Sequence, residues 1–121
     1  MAMLTFYGYE RCSTCRNARK WLDAHERPHT FVDITEKPPP EELLQRIAHS
    51  DAYTLRHLFN TSGQLYREMN LKSRLPGMTE AEAIDLLVSH GKLVKRPIVV
   101  DETGERFTVG FKPDVFERVW A

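Results

Sequence analysis

The first third of the chain leaves little room between a β-prone run, an amphipathic helix and a second β-prone run. Leu4-Thr5-Phe6-Tyr7 is rich in strand formers and is closed by Gly8. Cys15, Ala18, Trp21, Leu22 and His25 then share one face at helical spacing, with charged residues on the other. After a break at Pro28, Thr30-Phe31-Val32-Asp33-Ile34 reads as a second strand. Strands that alternate directly with a helix bury one helix face on a sheet, which points to an α/β architecture.

The rest of the chain extends this pattern. Lys37-Pro38-Pro39-Pro40 cannot lie inside a helix. Pro40 suits a first helical position, with Glu41 and Glu42 favourable in the first turn and Leu43, Leu44 and Ile47 as the apolar face. Tyr53 to Phe59 predicts a short helix, Asn60 to Gly63 a turn, and Leu65 to Leu71 another short helix before the break at Pro76-Gly77. Thr79-Glu80-Ala81-Glu82 is a capping box, in which the hydroxyl and the carboxylate each satisfy a helix-end amide. Ala83, Ile84, Leu87 and Val88 follow as its apolar face, and Gly91 suits the helix stop. Ile98-Val99-Val100 and Arg106 to Val109 read as a β-hairpin around a Gly-containing loop. Lys112-Pro113-Asp114 opens a last helix that buries Val115, Phe116 and Val119. Trp21 and Trp120 are expected to pack against the sheet, and none of the scattered histidines is assigned a catalytic role. The whole reads as one domain over residues 1–121, with a helical insert at about 37–92.

The 121 residues suffice for one domain with a real core. Lys+Arg and Asp+Glu balance at 17 each. The chain therefore offers no global field for nucleic acid or an anionic membrane, and any anion site must be built locally. The first residues lack the basic and apolar regions of a signal peptide, and no apolar run has the length of a membrane span. The cytoplasm is the expected compartment.

The two cysteines of the chain, Cys12 and Cys15, lie three positions apart where the first strand gives way to the helix. In the cytoplasm such a pair is more often redox-active or metal-binding than structural. A helix N-terminus and nearby cations both lower a thiol pKa, and Arg11, Arg16, Arg19 and Lys20 lie close in sequence. Cys12 is the expected exposed nucleophile and Cys15, one turn in and on the apolar face, the resolving thiol. Half of a zinc site, completed by two of the chain's histidines, is an alternative, but no second pair at finger-like spacing exists. Simple packing of two cysteines is another. No metal is expected.

Lys95-Arg96-Pro97 stands directly before the strand Ile98-Val99-Val100. A proline there belongs at a strand start or an edge, and X-Pro bonds are where cis peptides occur. A cis Pro97 facing the cysteines across the sheet would resemble thioredoxin-like folds. Arg96 would then lie beside Cys12, able to stabilise a thiolate or hold an oxyanion. An ordinary Arg-Pro loop with a solvated Arg96 is the bland alternative.

Taken together these residues resemble the arsenate reductase (ArsC) and Spx-like proteins. The matching stretches are Phe6-Tyr7 with Cys12, Thr14 to Ala18, Pro38-Pro39, Phe59-Asn60 with Gly63, Lys95 to Val100, and Val109-Gly110-Phe111-Lys112-Pro113. They run through nearly the whole chain. The resemblance implies a thioredoxin-like fold, a mixed sheet flanked by helices with a helical insertion. It also implies Cys12 as nucleophile and Arg96 as one of the three arginines with which glutaredoxin-linked arsenate reductases surround an oxyanion. The other two are replaced, one by Asn60 and one by Lys112. Ser13, Thr14, Asn60, Arg96 and Lys112 are thus the candidate anion-binding residues.

The presence of Cys15 beside an Arg-Pro pair makes the chain more similar to the Spx/MgsR-like branch. The implied activity is that of a thiol–disulfide redox protein, a weak or former arsenate-reductase-like oxidoreductase. Its cofactor would be its own Cys12–Cys15 disulfide, with glutathione, glutaredoxin or thioredoxin as electron partners. The alternative implied by the resemblance is an Spx-type redox-sensing regulator that binds the RNA polymerase α subunit. For that contact the insert region His49-Ser50-Asp51-Ala52 carries no glycine.

Overall fold

A computed structural model of the chain describes residues 3–121. They divide into two compact units, one made of the residues up to Asp33 together with Arg96–Ala121, the other of Ile34–Lys95.

The first unit is built on a sheet of four strands among the described residues, β1 (Leu4–Gly8), β2 (His29–Asp33), β3 (Ile98–Val100) and β4 (Phe107–Val109), in the order β2-β1-β3-β4. β1 pairs parallel with β2, as the intervening helix α1 (Ser13–Ala24) requires, and antiparallel with β3. β3 and β4 form the expected antiparallel hairpin. Its turn is closed by Asp101, whose carboxylate accepts from the Thr103 hydroxyl at 2.9 Å and the Arg106 amide at 3.3 Å. Side chains alternate across the pleat, so Leu4 and Phe6 of β1 and Val99 of β3 share one face. They pack with Cys15, Ala18 and Leu22 of α1 and with Phe116 and Trp120 of α6 (Pro113–Trp120). Both tryptophans join this layer, and the Trp120 indole N–H donates to the buried Thr108 hydroxyl at 3.1 Å. The mixed sheet with flanking helices is the expected thioredoxin-like arrangement, and the Arg96-Pro97 peptide is cis.

The second unit is helical. α2 (Glu41–Ala48) buries Leu43, Leu44 and Ile47. Pro40 is its N-cap, with ψ 146°, and not its first helical residue. The predicted Tyr53–Phe59 helix is a single 3₁₀ turn, Leu55–Leu58. The predicted Leu65–Leu71 helix is two short ones, α3 (Gln64–Glu68) and α4 (Leu71–Arg74). Between them Asn70 takes a left-handed conformation at φ 53°, which asparagine adopts more readily than most residues. α5 (Glu80–Ser89) opens on the predicted capping box: Thr79 Oγ1 accepts the Glu82 amide at 3.1 Å, and Glu82 Oε1 accepts the Thr79 amide at 3.0 Å. Ala83, Ile84 and Leu87 are buried, whereas Val88, expected on the same face, is exposed. His49 at the end of α2 pairs with Glu80 at the start of α5, 2.7 Å apart. No helix among the described residues is long and apolar enough to cross a membrane.

Candidate active site

Both cysteines are held where β1 turns into α1. The turn is tight: the Cys12 amide donates to the Tyr9 carbonyl at 3.1 Å, and Cys12 itself is the N-cap of α1. N-caps are normally Ser, Thr, Asp or Asn, whose side-chain oxygen accepts an amide from the first helical turn. Here the acceptor is sulfur. Cys12 Sγ takes the Cys15 amide at 3.3 Å, and the Cys12 carbonyl takes the Arg16 amide at 3.0 Å. The cap geometry thus turns the Cys12 sulfur toward the positive end of the helix.

The two thiols differ in surroundings. Cys12 is partly exposed, while Cys15 is 1% exposed and belongs to the core under the sheet. Partial burial is the largest single influence on Cys12 and by itself raises its pKa. Hydrogen bonds from the Cys15 thiol and amide, together with the charge and hydrogen bond of Arg96, outweigh it and bring the thiol below its ordinary value. Burial pushes the Cys15 thiol up to about 12, assisted by the proton it shares with Cys12 and by the charge on Cys12. The Tyr9 backbone and the Arg96 charge oppose this rise. The same surroundings thus favour the thiolate on Cys12 and the thiol on Cys15.

Arg96 reaches this pair from the loop before β3. Its guanidinium also lies over the Tyr9 ring, 5.6 Å from the centroid. Cys12, Cys15, Arg96 and the cis Pro97 thus belong to one unit, and the first three interact directly.

The other predicted anion ligands are distributed differently. Ser13 and Thr14 are exposed residues of the first turn of α1, where backbone amides lack helical acceptors. Lys112 is the exposed N-cap of α6. Asn60 belongs to the second unit, where its amide donates to the Leu93 carbonyl at 2.7 Å and its carbonyl accepts from Gly63 at 3.0 Å. Its side-chain oxygen accepts from the Ser62 hydroxyl at 3.4 Å, closing the Asn60–Gly63 turn.

A cleft of about 450 Å³ in the second unit is lined by residues between Leu55 and Met78, none of them a predicted site residue. Among the described residues no three His, Cys, Asp or Glu side chains converge in a way that could hold a metal ion.

Sequence reasoning passed over Gly8 and Tyr9. Gly8 looked like punctuation after a strand, yet a Cβ built there would stand 3.2 Å from Cys15 Sγ and 2.6 Å from the Phe6 ring. The signal available was its position four residues before the first cysteine, where the backbone must pass close to a buried thiol. Tyr9 carried no signal of its own.

Known proteins resemble this chain over nearly its whole length. The model of the ArsC family matches residues 7–119. The uncharacterized protein YusI of Bacillus subtilis (strain 168) is 48% identical over 118 residues, 98% of this chain and 98% of that protein. The regulatory protein MgsR of the same organism is 31% identical over 110 residues, 91% of this chain and 84% of that one. Among solved structures, that of a possible arsenate reductase from Streptococcus mutans UA159 is similar with a TM-score of 0.85 at 38% identity. It covers 97% of this chain and 99% of its own.

Proposed function

The chain belongs to the ArsC family, and we propose that it works as a thiol–disulfide redox protein with Cys12 and Cys15 as its reactive pair. The observation that carries this reading is the asymmetry of the pair. A partly exposed sulfur sits at a helix N-terminus beside Arg96, and a buried thiol sits against it, one turn further in.

The reaction runs in two exchanges. The Cys12 thiolate attacks one sulfur of a partner disulfide; the Cys12–partner bond forms, the partner S–S bond breaks, and the departing thiolate takes a proton from water. Cys15 then loses its proton and attacks Cys12 Sγ, which expels the second partner thiolate and closes the Cys12–Cys15 disulfide. The partner gains two electrons and two protons; the pair supplies both electrons and the Cys15 proton, and water supplies the other proton. The first exchange prepares the second. Once Cys12 is in a mixed disulfide it carries no charge and accepts no proton from Cys15, so two of the influences that raise the Cys15 pKa disappear. The Tyr9 backbone and Arg96 continue to favour the Cys15 thiolate. Glutathione, or a glutaredoxin or thioredoxin, returns the pair to the dithiol.

A single guanidinium holds a tetrahedral oxyanion less firmly than three would, and neither Asn60 nor Lys112 supplies a bidentate fork. Disulfides are therefore favoured over arsenate as substrates. The likeness to MgsR supports a second reading with the same chemistry, in which oxidation of the pair is a signal passed to a protein such as the RNA polymerase α subunit.

The deciding measurement is the midpoint potential of the pair in glutathione redox buffers, with Cys15→Ser as control. A reversible two-electron transition near the cytosolic poise is expected, and absence of an intramolecular disulfide would remove the proposal. Turnover of a small disulfide, abolished in Cys12→Ser, then separates the oxidoreductase from a sensor that only binds RNA polymerase α.

A further inference from the structure

Tyr9 borders both Cys12 and Arg96. Its carbonyl accepts the Cys12 amide at 3.1 Å, and its backbone works to lower the Cys15 pKa against the effect of burial. Its ring, half-buried, lies under the Arg96 guanidinium at 5.6 Å. The sheet explains the meeting. β1 and β3 run antiparallel with Tyr7 opposite Ile98, and the same register carried two residues further brings Tyr9 opposite Arg96. The aromatic residue just beyond one strand thus meets the cation just before the next.

We propose that Tyr9 is a positioning residue whose ring holds the Arg96 guanidinium beside the Cys12 sulfur. The proposal rests on the reading of Cys12 as nucleophile. An arginine has many rotamers, and its effect on a neighbouring thiolate depends on where its charge spends its time. A ring face attracts a guanidinium and restricts it to the plane above, while the hydrophobic edge keeps water from one side. Cys12 has little else to take the place of Arg96. Arg16, the cation of the same first turn, is turned back along the loop, its Nη1 donating to the Glu10 carbonyl at 3.1 Å. Cys15 supplies a thiol and an amide but no positive charge. The phenol hydroxyl has no part in the proposal, so phenylalanine should serve as well as tyrosine.

The test is the pH profile of Cys12 alkylation by iodoacetamide in the reduced protein, for Tyr9→Phe, Tyr9→Leu, Tyr9→Ser, Arg96→Ala and the double variant Tyr9→Leu/Arg96→Ala. Circular dichroism identifies the variants that retain the fold, and the two truncations provide for loss of either one. Truncating Tyr9 should move the midpoint upward, as Arg96→Ala does, and slow alkylation at neutral pH by about threefold or more. Tyr9→Phe should keep the parent profile, and the double variant should match Arg96→Ala alone. A truncation that leaves the profile unchanged while Arg96→Ala shifts it would overturn the role of Tyr9 and leave the active-site reading intact. So would a Tyr9→Leu shift that persists at full size without Arg96, because the ring would then act on Cys12 by another route. If Arg96→Ala itself shifts nothing, the Cys12–Arg96 reading fails and the proposal fails with it.

Discussion

The Cys15 amide donates to the sulfur of Cys12 at 3.3 Å, so the proposed nucleophile is also the cap of the helix that follows it. The two duties can be separated by substitution. Serine keeps an acceptor at the cap and removes the thiol; alanine removes both. Cys12→Ser should retain the stability of the parent, whereas Cys12→Ala should lose about 1 kcal/mol. Urea unfolding of the reduced proteins measures the difference. Equal stability of the serine and alanine variants would show that the sulfur contributes nothing as a cap.

The same contact predicts an order of reactivity. The Cys12 thiol lies below its ordinary value, because the hydrogen bonds from Cys15 and the Arg96 charge outweigh the cost of partial burial. Cys15 is 1% exposed and raised to about 12. One equivalent of iodoacetamide near neutral pH should therefore label Cys12 alone, with Cys15 reacting only in strong alkali or after unfolding. Peptide mass mapping of the alkylated protein checks this. Equal labelling of both cysteines would contradict the structure.

Much of this site was legible in the sequence because it is local. Strand, cysteines and helix follow one another without a gap, and the spacing of Cys15, Ala18 and Leu22 alone marks a buried face. Pro97 could be read because a proline has few places at the head of a strand, and Thr79 with Glu82 because a capping box is complete within four residues. Part of what could not be read depends on residues far apart in sequence, and part on local backbone choices. Asn70 splits a predicted helix by adopting φ 53°, a conformation that composition does not announce. Gly91 suited a helix stop, but a Cβ there would collide with the Ile34 carbonyl, so close approach of two backbones explains the glycine. Tyr9 acquires its partner Arg96 only through strand pairing. Asn60 was aligned with an anion-binding arginine by resemblance, a route that carries no information about the turn its side chain closes.

The raised pKa of Cys15 has a consequence for stability in alkali. Its value is about 12 in the fold against 9.0 for an ordinary cysteine, so the unfolded chain releases this proton first as pH rises. The stabilisation is complete below about pH 9 and is lost progressively between 9 and 12. Burial raises the Tyr7 hydroxyl as well and adds a loss of the same sign. The melting temperature of the reduced protein should therefore fall across this window. In Cys15→Ala the fall should be shallower, with the Tyr7 part remaining. Parallel profiles for the two proteins would mean that Cys15 titrates like an exposed thiol.

Gly8 and Gly77 form a matched pair for a last prediction. A Cβ at Gly8 would lie 2.6 Å from Phe6 Cε1 and 3.2 Å from Cys15 Sγ, and both of those side chains are buried. Nothing lies within 4 Å of a Cβ at Gly77. Phe6 sits between β2 and β3, with Phe31 and Val99 as its ladder partners, so its ring has little freedom to give way. The displacement must then fall partly on Cys15, the atom that has to reach Cys12 for a disulfide to close. Gly8→Ala should cost about 1–3 kcal/mol as an overpacking substitution and slow closure of the Cys12–Cys15 disulfide. Gly77→Ala should leave both quantities near those of the parent. Urea unfolding and the rate of disulfide closure under oxidised glutathione measure the two effects separately. A Gly8→Ala protein that is destabilised yet closes its disulfide at the parent rate would show that the ring of Phe6 absorbs the methyl group and the thiol does not move.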